Sequence, residues 1–542
     1  MRNIKFDMPE WAYLPGILIL AGGLKVWLTF SGRVPFNADE AIVALMARHI
    51  LQGERPFFYY GQAYMGSLGA WLVAGGFTLA GEHVWVIRAI QGLIYLGVIL
   101  TTFLLGKTAF KDENIGWLAG LLLAIPTVNV SLYTTISWGG YGETLLIGNI
   151  ILLVGIDLAN RLANELTIHS WRWALFGFLC GLGFWIFGLS LVYSLPTSAI
   201  LAWLLFRNRQ ASGVWLPGIY VLAGASIGAT PWWIYAYQNG FASLAAELSG
   251  RAISGVEGLG WSGQIWQHLV SLVLLGIPVI LGLRPPWEVR WLGLPLFPFV
   301  LVFYAAMLGF SYKRLSQRDA ASTSRLFFHG LAWCLLLGFV FTPYGADPSG
   351  RYFIPLAIPM AIFSAELIAE NSGRSRRIAW GLAALLLVYN LWGTIQSALR
   401  YPLGLTTQYN PVTQIDNRYY AELIAFLKEN NERYGYTNYW VSYPLAFLTQ
   451  EEIVFIPRLP YHLDFRYSFR DNRYPAYENE VRGAERAAYI TTNHPPLDSY
   501  LREQFSAQGV TWEEENIGDF HIFYDLSAVI IPEQIGLGEQ RP

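Results

Sequence analysis

Cysteine is almost absent from this chain. Its 542 residues hold two, Cys180 and Cys334, both inside apolar runs, so no disulfide or thiolate–metal framework is suggested and packing is the expected role of each. Histidine is nearly as sparse, with eight in all; His49 and His83 lack any partnered ligand spacing and do not read as metal ligands. Charge is short as well. Asp, Glu, Lys and Arg make up 14% of the chain, against roughly 25% in soluble domains. No low-complexity tract and no fixed short repeat is present, which sets aside solenoids and arrays.

What fills the chain instead is apolar sequence, 54% of it. A helix rising about 1.5 Å per residue needs roughly 20 residues to cross a hydrocarbon core of about 30 Å. Runs near 11–30, 84–105, 115–132, 144–158, 213–230, 263–283, 292–310, 326–342, 352–369 and 378–398 meet that length or approach it. The stretch 173–206 is long enough for two short helices broken near Gly188 and Ser190, whereas Leu68–Ala80 is short for a span and suits the interface. The fold expected is a polytopic α-helical membrane bundle with about 11–13 transmembrane helices. The first run ends without a small-residue cleavage site and reads as an anchor rather than a signal peptide.

The charges divide the chain. Residues 1–402 carry a net +7 and residues 403–542 a net −9. The expected organisation is therefore a membrane domain over 1–402 and a soluble α/β domain over 403–542. In the latter, Tyr419–Lys428 and Leu497–Gln508 have helical periodicity, while Ile453–Ile456, the end of Glu485–Thr491 and His521–Tyr524 read as strands. An acidic exposed domain gives no support for a nucleic-acid partner. Basic loops mark the cytoplasmic side: Arg2 and Lys5, Lys107–Lys111, Arg207–Arg209, Lys313–Arg318 and Arg374–Arg377. That rule puts the first loop, 31–66, and the terminal domain outside the cytoplasm of a multi-pass cell-membrane protein.

Four polar stations interrupt the apolar sequence. The first is Phe36-Asn37-Ala38-Asp39-Glu40-Ala41, where Asn37 or Asp39 would cap an amphipathic helix running from Asp39 to Leu51. Adjacent carboxylates at a helix start are stabilised as anions and suit a base or a cation ligand; a cap plus a solvated charge is the plainer reading. The second, Tyr59-Tyr60-Gly61-Gln62-Ala63-Tyr64, offers a sugar-facing set in Tyr60, Gln62 and Tyr64, or an interfacial aromatic belt. The third is Ser137-Trp138-Gly139-Gly140-Tyr141-Gly142-Glu143. Glu143 opens a span, where an acid is either functional or a cap, and Arg88 near the start of another span either serves the site or reaches for lipid headgroups. The fourth is Asp347-Pro348-Ser349-Gly350-Arg351-Tyr352, in which Arg351 either grips phosphate with its planar fork or pairs locally with Asp347. A further segment, Tyr461–Tyr477, is dense in Tyr, Phe, Arg and Asp and reads as a surface loop or a carbohydrate- or peptide-contacting face.

In this order the stations resemble the GT-C superfamily of membrane glycosyltransferases, within the protein mannosyltransferase and aminoarabinose transferase-like (glycosyltransferase family 39-like) group. Asp39-Glu40 matches the acidic motif of the family's first external loop. Tyr60-Gly61-Gln62-Ala63-Tyr64 matches its downstream Gly- and Tyr-containing segment, Glu143 a second site acid, and Ser349-Gly350-Arg351-Tyr352 its Arg-Tyr entry to a late span. The match covers about residues 10–400. One departure stands out: where members commonly carry a Lys-Pro-Pro-like run, this chain has Met65-Gly66-Ser67-Leu68.

The resemblance implies inverting transfer of a sugar from a polyprenyl-phosphate-linked donor in membrane lipid to a saccharide, lipid or protein acceptor in the cell envelope. Catalysis would fall to Asp39, Glu40 and Glu143. Tyr60, Gln62, Tyr64, Arg88, Tyr141, Arg351 and Tyr352 would bind substrate. If a divalent cation is used, Mg²⁺ or Mn²⁺ would sit on Asp39, Glu40 and Glu143. Two rivals are a transporter or flippase of a lipid-linked saccharide and a non-catalytic scaffold. The first should place charges deep in the bundle, whereas the informative polar residues here sit at the ends of spans.

Overall fold

A computed structural model describes residues 13–207, 215–248, 260–317, 319, 321–347, 349–372, 375–400 and 404–539. Of the positions used above, Arg2, Lys5, Arg209, Arg318, Pro348 and Arg374 lie outside the described residues. Among the described residues eight helices are long and apolar enough to cross a membrane, and three shorter apolar helices accompany them: Leu68–Ala80, Glu113–Ala124 and Trp215–Gly228. The chain is a multi-pass membrane protein with a helical bundle and a strand-containing C-terminal region.

It divides into two compact units that do not follow chain order. One comprises Met1–Phe30, Tyr64–Leu68 and Arg88–Ser397; the other comprises Ser31–Ala63, Gly69–Ile87 and Ala398–Pro542.

Within the membrane unit, the expected break in 173–206 falls at Gly188–Ser190, between helices Ser170–Ile186 and Leu191–Arg207. The run at 115–132 is not one span. It forms Glu113–Ala124 and Val128–Tyr133, because Pro126 has no N–H to continue the ladder and keeps its predecessor out of helical geometry. Lys25, in the first span, is buried and uses all three donors, on the Ser131 carbonyl (3.1 Å) and the hydroxyls of Thr134 (2.6 Å) and Thr135 (2.9 Å). Its ammonium also lies 4.4 Å from the centre of the Tyr95 ring. The lysine thus fastens the first span to the segment that leads into Trp138.

Lipid tails offer helices no hydrophobic incentive to associate, so close backbone approach has to supply dispersion instead. Helices Ser170–Ile186 and Trp215–Gly228 achieve it with glycines four apart on each. A methyl group at Gly177 or Gly181 would overlap the carbonyls of Val221 or Ala225, and one at Gly224 or Gly228 those of Ala174 or Phe178.

In the second unit, the terminal domain is an α/β sandwich around a five-stranded sheet. Its strands are β1 (Tyr434–Thr437), β2 (Val454–Pro457), β3 (Ala488–Thr492), β4 (Glu513–Ile517) and β5 (Phe520–Tyr524), in the order β2-β1-β3-β5-β4. β1 runs parallel to β2 and β3, and β5 antiparallel to β3 and β4. Parallel neighbours require a crossover, supplied between β1 and β2 by helix Tyr439–Leu448. Leu423, Leu427, Val441, Leu445, Phe455, Ile490 and Ile522 form the core. Helix Tyr420–Glu429, helix Pro495–Ala507, β2, β3 and β5 fall where the periodicity predicts them. β1 and helix Tyr439–Leu448 do not announce themselves. The first reads Tyr-Gly-Tyr-Thr, and the second is rich in aromatics with Pro444 inside it, so tertiary packing and the Asn438 cap on the Trp440 amide (2.9 Å) outweigh local propensity.

Gly181→Leu is expected to lower the melting temperature in detergent, since overpacking costs about 1–3 kcal/mol and backbone atoms cannot rotate away. Gly218→Leu, on the same helix pair with nothing within 4 Å, is the control and should melt like wild type. Equal melts for the two variants would refute the close-packed interface.

Candidate functional site

The sequence-predicted residues fall in both units. In the second unit, helix Ala38–Gln52 begins with Asn37 as its cap, whose side chain accepts the Glu40 amide at 3.0 Å. Asp39 is therefore released from the capping role. The helix is not half-exposed as its amphipathic pattern suggests: Ala38 and every residue from Glu40 to Ile50 are buried. The cover comes from the terminal domain. Arg48 donates to the Phe447 carbonyl (3.1 Å) and stacks over the Phe447 ring (4.8 Å), on which Phe36 and Phe77 also pack. Nearby, Asn417 donates to the Phe36 carbonyl at 3.1 Å.

Asp39 meets two tyrosines. Tyr439, at the start of its helix, donates its hydroxyl to Asp39 Oδ1 at 2.5 Å, and Tyr59 donates to the Asp39 carbonyl at 2.6 Å. The Arg473 guanidinium lies 5.4 Å from the Tyr439 ring centre and reaches the Gly61 carbonyl at 3.4 Å. Burial, then the negative charge of Asp39, hold the Tyr439 hydroxyl well above the ordinary phenol range, so it stays a donor. Asp471 is buried too. Loss of water raises its carboxyl to about 7, with Arg473 opposing and Asp39 adding to the rise. Sequence reasoning missed Tyr439, Arg473 and Asp471 as neighbours of Asp39; the one signal was the density of Tyr, Arg and Asp in Tyr461–Tyr477.

Glu40 is wholly buried on the same helix. Tyr60 donates to Glu54 Oε2 (2.5 Å), lies 3.0 Å from His49 Nδ1 and stacks on Tyr474 with ring centres 5.0 Å apart. Gln62 is half-buried at the start of strand Gln62–Gly66. His49 is not solitary: its Nε2 is 2.9 Å from Glu451 Oε1, which also accepts from Tyr477 (2.7 Å), while Arg48 holds Glu451 Oε2 (3.2 Å) and Glu82 (2.7 Å). Among the described residues no group of three His, Cys, Asp or Glu side chains is arranged to hold a metal ion.

In the membrane unit, two successive glycines with positive φ, Gly139 (+72°) and Gly140 (+98°), turn the chain so that Trp138 and Tyr141 face each other at 6.0 Å. Gly350 (φ +84°) turns it again before Arg351, and Asn129 holds the Gly350 carbonyl at 3.2 Å. Arg351 pairs with Asp347 at 2.5 Å and lies 5.1 Å from the Trp138 ring and 5.0 Å from the Tyr352 ring. The Arg351 Nε and the Trp138 indole nitrogen are nevertheless buried without a hydrogen-bond partner. Tyr141 packs edge-on against Phe187 (5.0 Å), which Tyr64 also touches (6.3 Å). Glu143, in the first turn of helix Tyr141–Ala163, accepts from Gln91 at 3.1 Å through Oε1, and its Oε2 has no partner. Arg88 is buried one turn before Gln91 on helix Val84–Phe110. The structure thus gathers Arg351, Tyr352, Tyr141 and Tyr64 into one aromatic neighbourhood in this unit, and Asp39 with Tyr439, Tyr59 and Arg473 into another in the second.

No family model matches the sequence, and no curated protein matches it. Solved structures do resemble the fold. ArnT from Cupriavidus metallidurans in the apo state superposes with a TM-score of 0.59 at 11% identity, over 94% of this chain and 98% of that one. ArnT from the same organism bound to undecaprenyl phosphate gives 0.56 at 12%, over 95% and 98%. The archaeal oligosaccharyltransferase AglB from Archaeoglobus fulgidus, in complex with an inhibitory peptide and a dolichol-phosphate, gives 0.51 at 14%, over 88% and 69%. At these identities the likeness is one of fold.

The Glu451 cluster ties the first loop to the terminal domain, and its pH dependence follows from its charge. Burial works against ionisation, but His49, Tyr477 and Arg48 together hold the Glu451 carboxyl at about 2, below the ordinary 4.5. A depressed carboxylate stabilises the fold fully above its unfolded value and loses that contribution as the pH falls toward the folded one. Wild type is therefore expected to lose melting temperature between about pH 4.5 and 2, and Glu451→Gln to start lower at neutral pH and fall less over that window. Parallel curves for the two proteins would rule the cluster out as a latch.

Proposed function

We propose that this chain is a glycosyltransferase that moves a sugar from a polyprenyl-phosphate carrier to a hydroxyl-bearing acceptor outside the cytoplasm, with inversion at the anomeric carbon. In this reading residues 1–402 form the transferase domain and 403–542 an extracytoplasmic domain. Support comes from the fold shared with proteins solved with undecaprenyl phosphate and with a dolichol-phosphate. The observation that carries the reading is the pair of unpartnered donors at Arg351 and Trp138. A buried donor left unpaired costs about 1–3 kcal/mol, and the oxygens of a phosphate would satisfy both.

Asp39 takes the proton of the acceptor hydroxyl as that oxygen attacks the anomeric carbon. The bond from this carbon to the carrier phosphate breaks on the opposite face, and the polyprenyl phosphate leaves with both electrons. Arg351, already held by Asp347 through one arm, offers its remaining donors to the departing phosphate, where preorganised charge is most effective. Glu40 and Glu143 orient sugar or acceptor hydroxyls. Arg88, Gln62, Tyr64, Tyr141 and Tyr352 contact substrate, and Tyr60, whose hydroxyl serves Glu54, contributes its ring.

Two arms test this. Titrated with undecaprenyl phosphate alone, Arg351→Ala should bind about ten- to a hundredfold more weakly, Arg351→Lys should recover little because it lacks the planar fork, and Asp347→Ala should keep much of the affinity. Assayed in liposomes against a panel of polyprenyl-phosphate sugars, Asp39→Asn should bind carrier normally and fail to transfer. Unchanged carrier affinity in well-folded R351A removes Arg351 from the site, and transfer by D39N at the wild-type rate removes Asp39 as the base.

A further inference from the structure

We infer that Tyr439, supplied by the terminal domain, is the positioning residue for Asp39, which makes that domain a working part of the transferase. The inference rests on the reading of Asp39 as the base.

A carboxylate in the first turn of a helix can swing about two side-chain bonds, and a base delivers its rate only when one oxygen points at the proton it takes. Tyr439 removes that freedom through its bond to Asp39 Oδ1, at 2.5 Å across 400 residues of sequence. Tyr59 adds a second tether on the Asp39 carbonyl, fixing the backbone beneath the carboxylate.

The tyrosine is itself held on every side. It is buried, with Trp440 and Tyr443 edge-on at 4.9 and 5.5 Å. Arg473 covers its ring, and Tyr443 secures that arginine's segment by accepting the Arg473 amide (2.5 Å) and donating to the Asp471 carbonyl (2.9 Å). Asn438 caps the helix that carries it, and Arg48 and Phe36 anchor the other end of that helix at Phe447. A side chain locked by packing and by a second layer of hydrogen bonds can hold a reacting group to a fraction of an ångström.

A donor on a carboxylate also makes it a weaker base. Tyr439 therefore helps the reaction only through direction, which sets it apart from a residue that acts by charge. Tyr439→Phe isolates the effect, because it keeps the ring, its stacking and the covering arginine and loses the hydroxyl alone.

The experiment is transfer kinetics of the full chain in liposomes, with undecaprenyl phosphate binding and thermal melts as checks that the fold survives. Y439F is expected to lower kcat about ten- to a hundredfold, with KM for acceptor, carrier affinity and melting temperature unchanged. In a D39E background, where the longer carboxylate no longer meets the hydroxyl, the same substitution should cost little more, so the two changes should be strongly non-additive. A merely structural Tyr439 would instead lower the melt or the carrier affinity in step with the rate. Wild-type kcat in Y439F, or a full additive loss in D39E/Y439F, overturns the positioning role. Wild-type transfer by D39N is a different result: it sinks the base assignment whatever Tyr439 does.

Discussion

Inside hydrocarbon a polar group has no water to fall back on, and most of the membrane unit follows from that single constraint. Lys25 is kept in the first span by three oxygen acceptors and an aromatic face instead of by solvent. Glu143 leans on Gln91, which also reaches Ser137, so one amide ties the start of a span to the turn before it. The same constraint singles out the atoms that are not satisfied. In a bundle where partners are found for a lysine, the Arg351 Nε and the Trp138 indole nitrogen are among the buried donors left without one.

The second unit solves a different problem. Its first-loop helix carries two acidic residues at one end and Arg48 and His49 toward the other, and almost all of it is buried. The terminal domain helps make this tolerable by meeting three of these groups with a complement: Tyr439 for Asp39, and Glu451 with the Phe447 carbonyl for Arg48 and His49. A carboxylate held this way keeps its direction, which a flexible loop would not preserve.

Much of the fold was legible because lipid and sheet impose strong periodicities. Span length, the break at Gly188–Ser190 and the α/β character of residues 404–539 all follow from runs of apolar residues and their spacing. The helix after Asn37 was legible from its cap. Its burial was not, since an amphipathic pattern reports one apolar face and cannot say that polar side chains on the other face will find partners 400 residues away. The local Asp347–Arg351 pair was visible at a spacing of four; the empty donors beside it were not, because they depend on how Trp138 packs.

The sequence by itself determined that the chain is a membrane bundle with an acidic α/β domain, and it nominated Asp39, Glu143 and Arg351 by placing charge at the ends of apolar spans. These properties are local: they depend on composition, helix rise and the cost of charge in lipid. Only the tertiary structure decided which tyrosine grips Asp39, that His49 belongs to Glu451 and Tyr60, and that Asp471 is a buried acid beside Arg473. Each of these joins residues far apart in the chain, and a hydrogen bond requires its partners within about 3 Å, a condition that spacing along the chain does not encode.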